Sequence, residues 1–153
     1  MEKCKMEDLE LQLLTLLKES WSVKAEEILF HRNMRRVEGS LTQPNIIFRE
    51  TTDVNKWNTE NTGECLALVT VTIKIKADST NNEDVDKAKE TKHEMREEVY
   101  RILKAVNEAE IDKPTGWEWA FVTRRINKDN FDAEPALIGE ELNVTIAYQR
   151  REI

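Results

Sequence analysis

The segment Cys65–Ala77 constrains the fold of this chain more than any other. Its sequence, CLALVTVTIKIKA, alternates apolar residues with residues that change from Leu through Thr to Lys. Because a β-strand turns successive side chains to opposite faces, this alternation predicts a long strand with one continuously apolar face. The residues of the other face change from apolar to charged along the strand, which predicts that this face is covered where the strand begins and solvent-exposed where it ends. That pattern is typical of an antiparallel strand covered on one side only.

Two helices are predicted to cover that apolar face. The first runs from Met6 to about Glu19, with leucines at three- and four-residue spacing and acidic residues in its first turns. The second runs from about Val85 to Asn107, after a polar turn at 78–84 that offers N-cap residues. The pattern assigns this second helix a polar face opposite its apolar one. The residues of the polar face are Lys87, Glu90, Glu94, Glu97, Glu98, Arg101 and Lys104.

The remaining apolar runs predict four shorter strands separated by turn and breaker residues. They are Glu26–His31, Asn45–Thr51, Trp117–Arg125 and Leu142–Gln149. Two long loops are expected, at about 51–64 and at 126–141. The fold predicted is a single α+β domain over residues 1–153. Its sheet is mostly antiparallel or mixed, and an N-terminal helix and one long helix pack on one face of it.

Charge and hydropathy exclude several classes of protein. The 23 basic and 30 acidic residues give a net charge of −7. This balance disfavours general nucleic-acid binding, which requires neutralised phosphates, although a local basic patch remains compatible with it. No apolar run approaches the roughly 20 residues that span a membrane, so no membrane association is expected.

The residues also offer little catalytic chemistry. With four glycines, the chain contains no nucleophile elbow, phosphate-binding loop or dinucleotide fingerprint. Its two histidines, His31 and His93, lack zinc-ligand spacing, and the oxygen-rich stretch 127–134 lacks the glycine of a calcium loop. We therefore expect no catalytic residue, no cofactor and no metal, and interpret the chain as a non-enzyme. An enzyme of unrecognised type is the alternative.

Two arginine clusters interrupt the acidic chain and are the candidate interface residues. Their members are Arg32, Arg35, Arg36, Arg124 and Arg125. Guanidinium groups bind carboxylates bidentately and are favoured at interfaces, so acidic patches such as Glu97–Glu98 or Glu140–Glu141 of another subunit are suitable partners. Two alternatives stay open: contact with a nucleic-acid backbone in a pore, and ion pairing within the chain. Trp57, in the first long loop, is a further interface candidate.

The order of these elements and three stretches of the C-terminal half resemble a known family. The stretches are Glu98–Leu103 (EVYRIL), Thr123–Arg125 (TRR) and Pro135–Tyr148 (PALIGEELNVTIAY). Together they resemble the tail terminator, or tail-completion, proteins of long-tailed bacterial and archaeal viruses, over about Met6–Arg150. The loop that holds Trp57 is longer than the family pattern.

The resemblance implies a structural role in a virion. Such proteins form a ring, usually a hexamer, at the head-proximal end of the tail tube, where they end tube polymerisation and join the tail to the capsid connector. The implied partners are further copies of the chain, the tail tube protein and a neck or connector protein. DNA would pass through the lumen without sequence-specific binding. The implied locations are the head–tail interface of the virion and, during assembly, the host cytoplasm. The alternatives are a neck protein of similar fold and a non-viral cytoplasmic α+β binding module.

Overall fold

The structure is a computed structural model that describes residues 8–32, 41–50 and 64–149. These ranges form two helices and five strands. In chain order they are α1 (Leu9–Ser20), β1 (Leu29–Arg32), β2 (Pro44–Glu50), β3 (Glu64–Ala77), α2 (Asn82–Asn107), β4 (Trp117–Asn127) and β5 (Ala136–Gln149).

The five strands form one mixed sheet in the order β1-β2-β3-β5-β4. β1 is parallel to β2, and all other neighbours are antiparallel. Strand β3 lies at the centre, and β1 and β4 are the two edges. The predicted α+β class, with a mixed sheet and two helices, is confirmed.

The alternation in β3 builds the core as predicted. Its odd-numbered residues from Cys65 to Ala77 are all buried, and α1 and α2 pack against that face. Leu13 and Leu17 of α1 and Met95 and Val99 of α2 are completely or almost completely buried there. Burying each such side chain contributes roughly 1.5–3 kcal/mol, so this face supplies most of the hydrophobic stabilisation.

Side-chain caps set where the helices begin. The Asp8 carboxylate accepts a hydrogen bond from the Leu11 N–H at 3.0 Å, so α1 begins at Leu9. The Asn81 side chain accepts from the N–H groups of Glu83 and Asp84, and α2 therefore begins three residues before the predicted Val85. Both caps satisfy N–H groups that have no partner inside a helix.

The second loop is shorter than expected. β4 continues to Asn127 and β5 begins at Ala136, which leaves 128–135 instead of 126–141. β5 pairs with β3 along its whole length, and at Gly139 a Cβ atom would lie 2.9 Å from the carbonyl oxygen of Ile73. Glycine thus allows this close pairing. In the first expected loop, 51–63 lies outside the described residues and Glu64 already belongs to β3.

Candidate functional site

Arg32 lies at the end of β1 and pairs with acidic groups of its own chain. Its Nε is 2.5 Å from Glu10 Oε1, and its Nη2 is 2.9 Å from Asp8 Oδ2. Glu10 also accepts from the N–H of Glu50 at 2.8 Å. The hydrogen bonds that Arg32 donates to Glu10 and Asp8 raise the pKa of Arg32, while burial and the negative charges of Asp8 and Glu10 raise the pKa of Glu50. Arg32 therefore ties the start of α1 to the end of β1, and Glu10 ties it to the end of β2.

Arg35, Arg36 and Trp57 lie outside the described residues.

Arg124 and Arg125 are adjacent in sequence but lie on opposite faces of the sheet. Arg125 is in register with Leu142 on the helix side, where its Nε is 3.0 Å from Glu140 Oε1. Arg124 is in register with Asn143 on the other side, and it is exposed. Within the described ranges no ion pair involves Arg124.

A buried network of charges joins α2 to β5 and the loop 128–135. Glu140, only 3% exposed, is bound by Arg125 and by Arg96, whose Nη1 is 3.0 Å away. Lys92 Nζ is 3.1 Å from Asp129 Oδ1, which also accepts from the Gly139 N–H at 2.9 Å. Lys92 and Glu140 were not identified as buried from the sequence, because a charge is buried only when its partner is brought to it by the fold.

The prediction that Glu98 belongs to a polar helix face is wrong, because Glu98 is also 3% exposed. Burial alone would raise its pKa. Hydrogen bonds from Arg101 and from the backbone N–H and hydroxyl of Ser22 outweigh that effect and lower the pKa to about 2. The Ser22 contacts, at 2.6 and 2.7 Å, lock α2 to the segment that follows α1. Glu98 and Glu140, proposed above as acceptors for a second subunit, are thus already occupied within the chain.

An apolar groove opens between α2 and the edge strand β4. It has a volume of about 430 Å³. Its lining residues are Tyr100, Leu103, Lys104, Asn107, Glu108, Phe121 and Val122. Tyr100 lines the groove from α2 and is 37% exposed, and Phe121 lies at the border between the groove and the sheet face opposite the helices and is 51% exposed. Exposed large apolar side chains of this kind can mark contact surfaces. No local pattern in the sequence indicates this groove, since it depends on how α2 lies against β4.

The outward edge of β4 is partly protected beside this groove. The Asn107 side chain donates to the Ala120 carbonyl at 2.8 Å and accepts from the Ala120 N–H at 3.0 Å. Alternate residues of an edge strand turn both backbone groups outward, so Val122, two residues on, also presents its N–H and C=O at this edge. An edge of this kind is a template for another strand, and the apolar groove lies directly beside it.

The sheet face opposite the helices is a second, partly exposed surface, on which Ile47, Thr70 and Ala147 are buried and Arg49 and Arg124 are exposed. No helix within the described ranges packs on it. It carries the even-numbered residues of β3, which are mostly half-buried, together with Arg49, Asn143, Thr145 and Arg124 from the neighbouring strands. Near one end of this face the rings of Trp119 and Phe121 are 5.4 Å apart.

The two histidines have side-chain partners. His31 Nε2 is 2.8 Å from Asn45 Oδ1, and His93 Nδ1 is 2.6 Å from Arg96 Nη2. Within 8–32, 41–50 and 64–149, no group of three or more His, Cys, Asp or Glu residues is placed to hold a metal ion. Neither described helix is long and apolar enough to cross a membrane.

Comparisons with known proteins show a likeness in fold only. No family model matches the sequence. No curated protein matches it either. Among solved structures, the fold is similar to that of a chain from a structure described as the virion of a native gene transfer agent particle. The two chains superimpose with a TM-score of 0.53 at 8% identity, over 92% of this chain and 94% of the other. The domain described above is thus nearly coextensive with one chain of a virion particle whose fold it shares.

Proposed function

We propose that this chain is a structural protein of a phage-like particle, and more specifically a tail terminator. In this role, copies of it form a ring, a hexamer by the family pattern, at the head-proximal end of the tail tube. The ring ends tube polymerisation and presents the surface that joins the capsid connector. The protein works through shape and contact and catalyses no reaction.

The observation that carries this proposal is the similarity in fold to a chain of a virion particle. It extends over nearly the full length of both chains, so the similarity is not confined to one part of either chain. The stretches Glu98–Leu103 and Pro135–Tyr148 add the resemblance to tail terminators. In the structure they belong to α2 and to the Pro135–β5 segment, which contact each other through Arg96 and Glu140.

The two edge strands of the sheet are suited to the contacts that a ring requires. A ring requires head-to-tail contacts between two different surfaces of each copy, with a rotation that closes. The edges β1 and β4 differ in length and in direction relative to their neighbours. In the proposed ring, the β4 edge and its groove receive the opposite side of the next copy. Tyr100, and Phe121 at the border of the groove, then become buried in the contact, where large aromatic residues contribute most to interface energy.

The experiment is reconstitution of the ring with the tail tube protein. Mass photometry measures the copy number of this chain, alone and mixed with tube protein, and negative-stain microscopy locates it on the tubes. We expect rings at one tube end and tubes of limited length. A chain that stays monomeric with tube protein and leaves tube length unchanged would contradict the proposal. Labelled protein found only on the capsid connector would indicate a neck protein instead.

A matched pair of variants tests the groove. Phe121→Asp places a charge in the proposed contact and should abolish ring formation. Phe131→Asp changes an equally exposed aromatic residue, at 49% against 51%, in the loop 128–135 away from the groove. Phe131→Asp should assemble normally. If both variants assembled equally well, the groove would not be part of the contact between copies.

A further inference from the structure

One transverse row of residues on the sheet face opposite the helices has an unusual composition. Strand register aligns Arg49 of β2, Thr70 of β3, Asn143 of β5 and Arg124 of β4 in a single line across the sheet. Two rows away, Lys74 lies on the same face. We use the name cationic row for Arg49, Asn143 and Arg124 of this line together with Lys74, which lies outside the line on the same face. Arg49 and Arg124 are exposed at its two ends.

The charges of this row are not neutralised by the described part of the chain. On the helix side, Arg96, Arg101 and Arg125 each pair with a buried carboxylate. No ion pair within the described ranges involves Arg49, Lys74 or Arg124. Glu141, an acidic residue of the same face, is paired with Lys128 at 3.6 Å. The face is therefore locally positive in a chain whose net charge is −7.

The amide between the two arginines is oriented to donate. The Thr70 hydroxyl donates to Asn143 Oδ1 at 3.3 Å, which occupies the acceptor end of that side chain. The Asn143 amide NH₂ then points its donors away from Thr70, with no partner among the described residues. A line of guanidinium, amide and guanidinium donors without a bound carboxylate fits an anion with many oxygens, such as a phosphate backbone.

The spacing of the row fits duplex DNA. Adjacent strands lie about 4.8 Å apart, so three intervals separate the backbones at Arg49 and Arg124 by about 14 Å. This resembles the roughly 12 Å width of the DNA major groove, and the two guanidinium groups can therefore reach phosphates on both strands.

We infer that the cationic row binds the phosphate backbone of duplex DNA without reading its sequence. The inference rests on the proposed function for the source of that DNA, the genome that passes along the tail. It assigns the face opposite the helices to the lumen of the ring. Weak contacts from one copy would add up when several copies surround the same duplex.

The test is binding of a fluorescent 20-base-pair duplex, followed by anisotropy at increasing salt. For three cations contacting phosphates, the logarithm of affinity should fall against the logarithm of salt with a slope of about −2.7. The variant Arg49→Ala/Arg124→Ala should weaken binding and reduce the slope to about −0.9, because two contacts are lost. Its circular dichroism melting curve confirms that it still folds.

The matched control is Lys18→Ala/Lys113→Ala. It also removes two exposed positive charges, but from α1 and from the segment before β4. This control should keep the wild-type slope. An equal loss in both double variants, or no duplex binding by the wild type, overturns the inference. Stronger binding to poly-glutamate than to DNA also overturns it and indicates an acidic protein partner.

Ring assembly is measured on the same variants. If Arg49→Ala/Arg124→Ala forms normal rings and its DNA binding equals that of the wild type, the inference fails and the proposed function stands. If DNA binding depends on the row but no ring forms with tube protein, the proposed function fails. The cationic row then remains a DNA-binding surface, but the DNA that it binds is not a genome passing along a tail.

Discussion

The two faces of the sheet are made from the same strands but have opposite character. Toward the helices, apolar residues are almost completely buried, and the charged groups Glu98 and Glu140 are held by Arg101, Arg96 and Arg125. Toward the other side, threonines are interspersed with the cationic row, and Trp119 and Phe121 remain accessible. These charged residues on the helix side serve the fold, whereas the exposed residues of the other side, Arg49 and Arg124 among them, are free for contact within the described part of the chain.

The difference shows where function can lie in such a chain. An arginine beside a buried carboxylate is committed to stability, because removing it leaves an unpaired charge in a poorly solvated place. An arginine on the other face contributes little to folding. The following predictions use neighbouring residues of opposite faces to test this division, from the largest expected effect to the smallest.

The first pair is Ile73 and Thr72, adjacent in β3 and on opposite faces. Ile73→Ala should lower the free energy of unfolding by about 4 kcal/mol, because Ile73 is completely buried and its truncation leaves a cavity. Thr72→Ala should cost about 0.5 kcal/mol, as is usual away from a core. Urea denaturation measures both. Similar losses would mean that the two faces are equally important for folding.

The second pair is Glu140 and Glu141 in β5. Glu140→Ala should destabilise the fold by about 3 kcal/mol, because Arg96 and Arg125 lose a buried partner. Glu141→Ala removes only the 3.6 Å contact with Lys128 and should cost about 0.5 kcal/mol or less. Chemical denaturation at neutral pH compares them. A larger loss for Glu141 would reverse the assignment of the faces.

The third prediction concerns acid stability. Glu98 has a pKa of about 2 in the folded chain against an ordinary value of 4.5. Because the folded-state pKa is the lower one, its contribution is complete above about pH 4.5 and is lost as the pH falls toward 2. The loss should amount to about 3 kcal/mol.

Glu98→Gln isolates this effect. The variant should be less stable than the wild type at neutral pH, and its stability should fall less steeply between pH 4.5 and 2. Glu97→Gln is the control, since Glu97 is largely exposed and has only a 3.6 Å contact with Arg96. An unchanged acid slope in Glu98→Gln would show that another group causes it.

The last pair is the smallest in effect and the most informative about the site. Arg125→Ala should cost about 1 kcal/mol, because its partner Glu140 is buried while Arg125 itself is half exposed. Arg124→Ala should change stability by less than about 0.5 kcal/mol. Thermal melts measure both. A destabilisation by Arg124→Ala as large as that by Arg125→Ala would show that Arg124 is structural.

Much of the fold could be predicted from local patterns. The strict alternation of Cys65–Ala77 and the helical spacing from Val85 to Asn107 each report a buried face, and burial of apolar residues determines both elements. The start of β5 could not be predicted, because Gly139, Glu140 and Glu141 interrupt the apolar pattern. There the strand is stabilised by partners distant in sequence, Arg96 and Arg125.

The site could be predicted only in part. Arg124 and Arg125 are recognisable in the sequence as cations in an acidic chain. The sequence analysis grouped them in one cluster, but a strand turns adjacent side chains to opposite faces. The irregular register between Val122 and Arg124 shifts that alternation further. The groove of Tyr100 and Phe121 and the alignment of Arg49 with Arg124 left no local signal, because each joins elements far apart in the chain.

By itself, the sequence determined that this chain forms an α+β domain, where its central strand and long helix lie, and that arginines are concentrated at a few positions. These properties follow from periodicity and composition, which are local. The tertiary structure decided which charges are buried and paired, which arginine faces the uncovered side, and where an apolar groove opens. The physical reason is that burial and ion pairing depend on distances between side chains, and only the packing of helices on the sheet sets those distances.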